Sequence, residues 1–159
     1  MEAEIAPRDV AGDLDHLWRS DGERLWRAVF AFTHDRAVTD DAIAEAFAQC
    51  LARGSAVRDP SPWVRRAAFR IAAGQLQDRR RWTTLSAEPI EPVVEPPGSL
   101  FAALRELPEQ QRGALVLRYY IGCPTDEIAE ILGIGGATVR VHLSRGRRRL
   151  RTLLEEHDG

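Results

Sequence analysis

From Leu14 to Phe30 the apolar residues Leu14, Leu17, Trp18, Leu25, Trp26, Val29 and Phe30 recur at three- and four-residue steps, between mostly charged positions. That spacing predicts an amphipathic helix, either bent or divided in two at Ser20–Gly22. A second stripe, Ile43, Phe47 and Cys50 or Leu51, runs along "TDDAIAEAFAQCLARG", with Gly54 as a natural C-terminal stop. In "DPSPWVRRAAFRIAAGQLQDRRR" the pattern predicts a third helix, with Ser61 as N-cap and Pro62 at the first helical position. Its buried face is expected at Trp63, Ala67 and Ile71, flanked by Val64 and Ala68. Arg65, Arg66 and Arg70 fall on another face, and Arg79–Arg81 end the helix, where cations also suit the macrodipole.

The periodicity then stops. "TTLSAEPIEPVVEPPGS", residues 83–99, holds four prolines and three glutamates and reads as an extended acidic linker. It could span at most roughly 55 Å. Helical patterning resumes in "SLFAALRELP", capped by Ser99, and in "PEQQRGALVLRYY", with Pro108 in the first turn. "TDEIAEILG" follows, with Thr125 as cap and Asp126 and Glu127 in the positive first turn. The expected architecture is all-α: a flexible N-terminus (1–11), a helical unit (12–82), the linker (83–99), a second helical unit (100–154) and a short tail (155–159).

Thr125 to Leu143 has the pattern of a helix-turn-helix. Ala129 is small where two helices approach, and Gly133 permits a left-handed turn four residues later. Ile128, Leu132, Ile134, Val139 and Leu143 would form the shared core. Val139, Leu143, Gly146, Leu150 and Leu153, spaced 4, 3, 4, 3, make one inward seam. Thr138, Arg140, His142, Arg145, Arg147, Arg148, Arg149 and Arg151 are then left to face outwards. The second helix of such a motif enters the major groove with its N-terminal residues on base edges. Thr138, Arg140, His142 and Arg145 are therefore candidate base readers, and Arg147 and Arg148 candidate phosphate contacts.

Charge sharpens this picture. The 159-residue chain carries a net −2, yet residues 63–82 carry +5 and residues 136–151 carry +6. All 22 basic residues are arginines. Two polyanion-facing helices thus alternate with acidic stretches. Cys50 and Cys123 have no Cys or His partner at ligand spacing, so buried thiols are expected, and neither a metal nor a cofactor. His16, His34, His142 and His157 do not cluster, and no nucleophile triad or phosphate loop appears, so an enzyme is not expected. Asp40, Asp41 and Glu45 read as helix decoration or a protein contact. The N-terminus has acids and no apolar core, and no run is long and apolar enough for a membrane span; a cytoplasmic location without membrane insertion is expected.

The order of these parts, an acidic helix, a basic helix with tryptophan, an acidic linker and "LPEQQRGALVLRYYIGCPTDEIAEILGIGGATVRVHLSRGRRRLR", resembles the extracytoplasmic-function (ECF) sigma factors of bacterial RNA polymerase. The second unit resembles their region 4. The first resembles region 2, through "DDAIAEAFAQCLAR" and "PSPWVRRAAFRIA". The resemblance implies a protein that binds core polymerase, recognises −10 and −35 promoter elements and promotes initiation. It implies that Asp41, Glu45, Phe47 and Gln49 face the clamp helices of the largest polymerase subunit. Arg58, Trp63, Arg65, Arg66, Arg70 and Arg79 would serve the −10 element, and region 4 the −35 duplex and the polymerase flap. An anti-sigma factor is a further partner the family implies. A stand-alone helix-turn-helix regulator, or a degenerate decoy that holds polymerase through its alanine-rich helix without melting DNA, remain the alternatives.

Overall fold

A computed structural model describes residues 7–83 and 99–158; residues 84–98 of the expected linker, the N-terminal six residues and Gly159 lie outside the described part, and the two outermost linker positions, Thr83 and Ser99, are helical instead. Seven α-helices follow in order: α1 (Val10–Thr33), α2 (Arg36–Arg53), α3 (Pro60–Thr83), α4 (Ser99–Arg105), α5 (Glu109–Val116), α6 (Thr125–Leu132) and α7 (Gly136–Asp158). No strand occurs among the described residues.

α1 is one uninterrupted helix, so Ser20–Gly22 does not divide it; the Ser20 hydroxyl bonds back to the His16 carbonyl at 2.8 Å, within the helix. It begins inside the stretch expected to be flexible, because the Asp9 carboxylate caps it by accepting from the Gly12 N–H at 3.0 Å. α7 likewise continues through residues 155–158, expected as a tail. α2 stops at Gly54, whose φ of 57° puts it in the conformation glycine allows at least cost. Leu51 is 53% exposed and Cys50 buried, which settles the choice between them.

α3 departs from expectation in two ways. It starts at Pro60, two residues before Pro62, so Ser61 lies inside the first turn rather than capping it. Pro60 needs no N–H partner there, as Pro62 would not. Its buried side is also wider and rotated: Val64, Ala67, Ala68, Phe69, Ala72, Ala73 and Leu76 are buried, whereas Trp63 and Ile71 are only half-buried. The cause is that α3 is covered twice, by α1 and α2 on one side and by α6 on the other.

In the C-terminal unit each start is shifted by one residue. Pro108 precedes α5, and Thr125 is the first residue of α6 after the cap position, Pro124. Ser99 is the first residue of α4, and its side chain lies outside the described part. α5 runs into a π-helical turn, Leu117–Ile121, closed by Gly122. The buried residues of both units form one continuous apolar core. Among the described residues no helix is long and apolar enough to cross a membrane.

Candidate nucleic-acid interface

The helix-turn-helix forms as its sequence predicts. Gly133 takes a left-handed conformation (φ 69°, ψ 36°), and the Ile134 N–H closes the α6 end on the Ala129 carbonyl at 3.0 Å. Ile128, Leu132, Val139 and Leu143 are buried, with Ile134 packed against them. Gly146 lies where α7 crosses α5: a Cβ there would come within 3.1 Å of the Leu115 side chain. With the seam held inward, Thr138, Arg140, Arg145, Arg147 and Arg148 are exposed along α7. Arg147 donates to the Tyr119 hydroxyl at 2.8 Å, so an exposed tyrosine holds it in place. His142 is half-buried, with Nε2 3.2 Å from Gln110 Oε1, which sets it below the exposed arginines.

On α3 the arginines are engaged. Arg65 pairs with Asp21 of α1 and Arg79 with Asp35 at the head of α2. Three others reach the C-terminal unit: Arg66 to Glu127 at 3.0 Å, Arg70 to Glu130 at 3.1 Å and Arg80 to Glu109 at 3.0 Å. The Arg66 contact is an ion pair by distance, with its N–H not aimed at the carboxylate oxygen. Trp63 is capped by the Arg53 guanidinium, 5.3 Å from the ring centroid. Arg58 is exposed on the loop before α3, and Arg8 donates to its carbonyl and, at 3.1 Å, to that of Val57. The sequence reading passed over Trp82, which stands 70% exposed beside the Arg79–Arg81 cluster. A bare indole beside cations suits a splayed base, which stacks on aromatic faces.

A third surface lies on α2. Asp41 and Glu45 are exposed on one face, and Gln49 donates to the Glu45 carboxylate at 3.0 Å. Phe47 is half-buried, edge-on to Trp18 at 5.7 Å. With Trp18 51% and Leu51 53% exposed, Phe47 joins a small apolar patch beside the acidic stripe. That combination suits a protein surface better than nucleic acid.

The two cysteines have no part in this chemistry. Both are buried and unpaired, and burial pushes each thiol up from its ordinary value.

Residues 98–150 match the family described as Sigma-70, region 4. The chain is 28% identical to the ECF RNA polymerase sigma factor SigM of Mycobacterium tuberculosis, over 96% of this chain and 84% of that one. It is 25% identical to the RNA polymerase sigma factor SigV of Bacillus subtilis, over 84% of this chain and 86% of that one. The chain is thus similar to ECF sigma factors along most of its length, and its residues 98–150 match their region 4. Its fold is similar to that of the sigma factor RpoE in the structure with the anti-sigma factor NepR from Bartonella quintana: TM-score 0.70, 21% identity, 90% of this chain and 97% of that one. The region 4 match covers α4, α5, α6 and α7 as far as Leu150, and α1 to α3 precede it.

What the sequence did not reveal is how the two regions meet. Arg112 of α5 is only 8% exposed. Its Nε donates to the Phe32 carbonyl in the last turn of α1 at 2.6 Å, and Nη1 to the Leu107 carbonyl at 3.2 Å. α1 has no basic residue in its own last turn, so a cation from region 4 meets its negative end. Burial pulls the Arg112 pKa below its ordinary value, and the Glu109 carboxylate opposes that shift. Beside it, Gly113 lets α5 approach the Phe32 ring: a Cβ at Gly113 would stand 2.7 Å from it.

Proposed function

We propose that the surfaces of this ECF sigma factor divide the work of promoter opening between them, with no catalytic residue of its own. Region 4 reads the −35 duplex with the first exposed turns of α7. Thr138 and Arg140 are the base readers, with Arg145 near the groove edge and Arg147 and Arg148 on phosphates. His142 acts by bracing α7 on Gln110 and is a weaker candidate for base contact. The arginines of α3, together with Arg58 and Trp63, face the −10 element, and Trp82 offers a stacking platform for an unpaired base. Asp41, Glu45, Phe47 and Gln49, widened by Trp18 and Leu51, face the polymerase clamp. Core RNA polymerase, promoter DNA and an anti-sigma factor are the partners. The observation that carries this reading is the order of surfaces along one chain: an acidic-apolar α2, an arginine-rich α3 and an exposed basic helix-turn-helix.

The test is transcription from genomic fragments by purified core polymerase with this protein added. Initiation at a shared two-part promoter is expected. Arg140→Ala should lower it about tenfold or more and relax the −35 sequence preference, since a bidentate base contact discriminates by about 1–3 kcal/mol. Arg148→Ala should instead weaken all promoters alike and reduce the salt dependence of binding by about one counterion. Duplex binding without any initiation would reject this function.

A separate prediction concerns α2. Leu51→Asp and Asp41→Arg alter only exposed positions, so their melting temperatures should stay within a few degrees of the unaltered protein. Their affinity for core polymerase, measured by fluorescence titration, should fall about tenfold or more.

A further inference from the structure

We propose that the cavity where α1 meets α4, α5 and α7 binds a fatty carboxylate, its hydrocarbon against the aliphatic lining and its carboxylate on the exposed arginines of α1 and α7. The cavity has a volume of about 810 Å³. Small-molecule sites run from roughly 300 to 1,000 Å³. Two helices shape this one by the same device. On α1 the lining residues are Arg24, Arg27, Ala28 and Ala31, at i, i+3, i+4 and i+7. On α7 they include Arg147, Leu150, Arg151 and Leu154, at the same spacing. A stripe of that spacing ordinarily faces the core and leaves charge to the opposite side. Here each stripe joins two arginines to two apolar residues, and both stripes border one space.

The lining states what fits. Ala28 and Ala31 are buried and carry only methyls, so α1 leaves open the room that larger side chains would fill. Leu104 and Leu115 add buried aliphatic surface. Among the described residues that line the cavity there is no Asn, Gln, Ser or Thr, the side chains that would read a sugar or a base. A hydrocarbon chain needs none of them.

The charge selects the head. Against four arginines stands one lining carboxylate, that of Glu155. Arg24 and Arg27 have ion-pair partners on α1 itself, Asp21 at 3.9 Å and Glu23 at 2.7 Å, but the two arginine side chains are 74% and 56% exposed. Pairs so open to water contribute little and leave the cations available to a second anion. Arg147 is already oriented by the Tyr119 hydroxyl. A guanidinium holds a carboxylate through two parallel hydrogen bonds, so the rim favours an anionic head over a neutral or cationic one. Arg147 is also a candidate phosphate contact, and an occupied cavity would withdraw that cation from the −35 duplex; this consequence rests on the promoter reading, whereas the site does not.

The full-length protein would be titrated by calorimetry with octanoate, decanoate and dodecanoate below their micellar concentrations. Saturable one-to-one binding is expected, with affinity rising up to about fourfold per added methylene, the gain from burying one such group. Decanol, which has the chain of decanoate without its charge, should bind about tenfold more weakly, and decyltrimethylammonium should not bind measurably. The Arg24→Gln, Arg27→Gln double variant alters exposed positions only; it should lose about tenfold in decanoate affinity and keep its affinity for decanol. An Arg19→Gln, Arg105→Gln variant, altered at exposed arginines outside the lining, controls for net charge and should bind decanoate as the unaltered protein does. Absence of saturable binding, as when a second copy or a segment of this chain already fills the cavity, would overturn the site. Equal affinities for decanoate and decanol, or a loss in the control as large as in the Arg24 and Arg27 variant, would do the same. None of these outcomes depends on promoter initiation, so the site and the promoter reading fail separately.

Discussion

Arg112→Ala is expected to lower the stability of the whole chain by about 3 kcal/mol, a large loss for one polar side chain. The guanidinium is buried and donates to carbonyls at the ends of two helices, Phe32 in α1 and Leu107 just after α4. A third carbonyl, that of Arg105, lies at the edge of hydrogen-bond range, 3.5 Å away. Truncation leaves these acceptors inside the junction without a donor, which costs more than the net worth of the bonds themselves. It also removes the guanidinium that donates to the C-terminal end of α1, a helix with no basic residue in its own last turn. Arg112→Lys should recover little, because an ammonium is a point donor and cannot span carbonyls on separate helices. Urea unfolding at neutral pH measures the loss. A cost below about 1 kcal/mol would mean that water replaces the guanidinium and that the regions part easily.

The sequence was informative wherever periodicity or a backbone rule acts locally. The helix-turn-helix was legible because Gly133 must supply a left-handed turn and because Val139, Leu143, Gly146 and Leu153 repeat on one side of α7. The stop at Gly54 was legible for the same reason. α3 shows where such reading ends. Its apolar stripe could be indexed from Trp63 or from Val64, and the choice depends on α6 covering a second side, which no local pattern reports. Phe69 sits directly before Arg70 in a basic stretch, and its burial follows from a ring stack on Phe32, 5.9 Å away and thirty-seven residues distant in sequence. Arg112 looked like one more arginine among many. Its signal was the adjacent Gly113, since a glycine inside a short helix marks a close approach, but the surface approached belongs to α1.

Among the candidate site residues the division is similar. Exposure of Arg140, Arg145 and Arg148 followed from the seam opposite them. The engagement of Arg66, Arg70 and Arg80 did not, because their partners lie across the linker. Opposite charge in the two units made such a contact conceivable, but the pairing needs the register of α3 on α6. His142 was placed outward by its spacing, yet Gln110 draws it towards α5. Trp82 escaped because an exposed indole at a helix end breaks the rule by which apolar stripes are read.

The strongest coupling in the molecule should be between Phe32 and Gly113. Phe32 is 1% exposed, stacked on Phe69 of α3 and facing the bare backbone of α5 at Gly113. Phe32→Ala alone should cost about 3–5 kcal/mol, the usual range for emptying a buried aromatic site. Gly113→Ala alone should cost about 1–3 kcal/mol, because the new methyl would overlap a ring that has no room to move. Combined, the two should cost less than their sum by about 1–2 kcal/mol: the alanine methyl enters the space the ring has left, and the helix propensity of alanine is then gained without a clash. The cycle is read from urea unfolding of the four proteins. Full recovery of the Gly113→Ala penalty in the Phe32→Ala background would place the two residues in direct contact in solution, with region 4 seated on region 2. Simple additivity would show the regions already apart before any partner arrives, and the arginines of α3 already exposed.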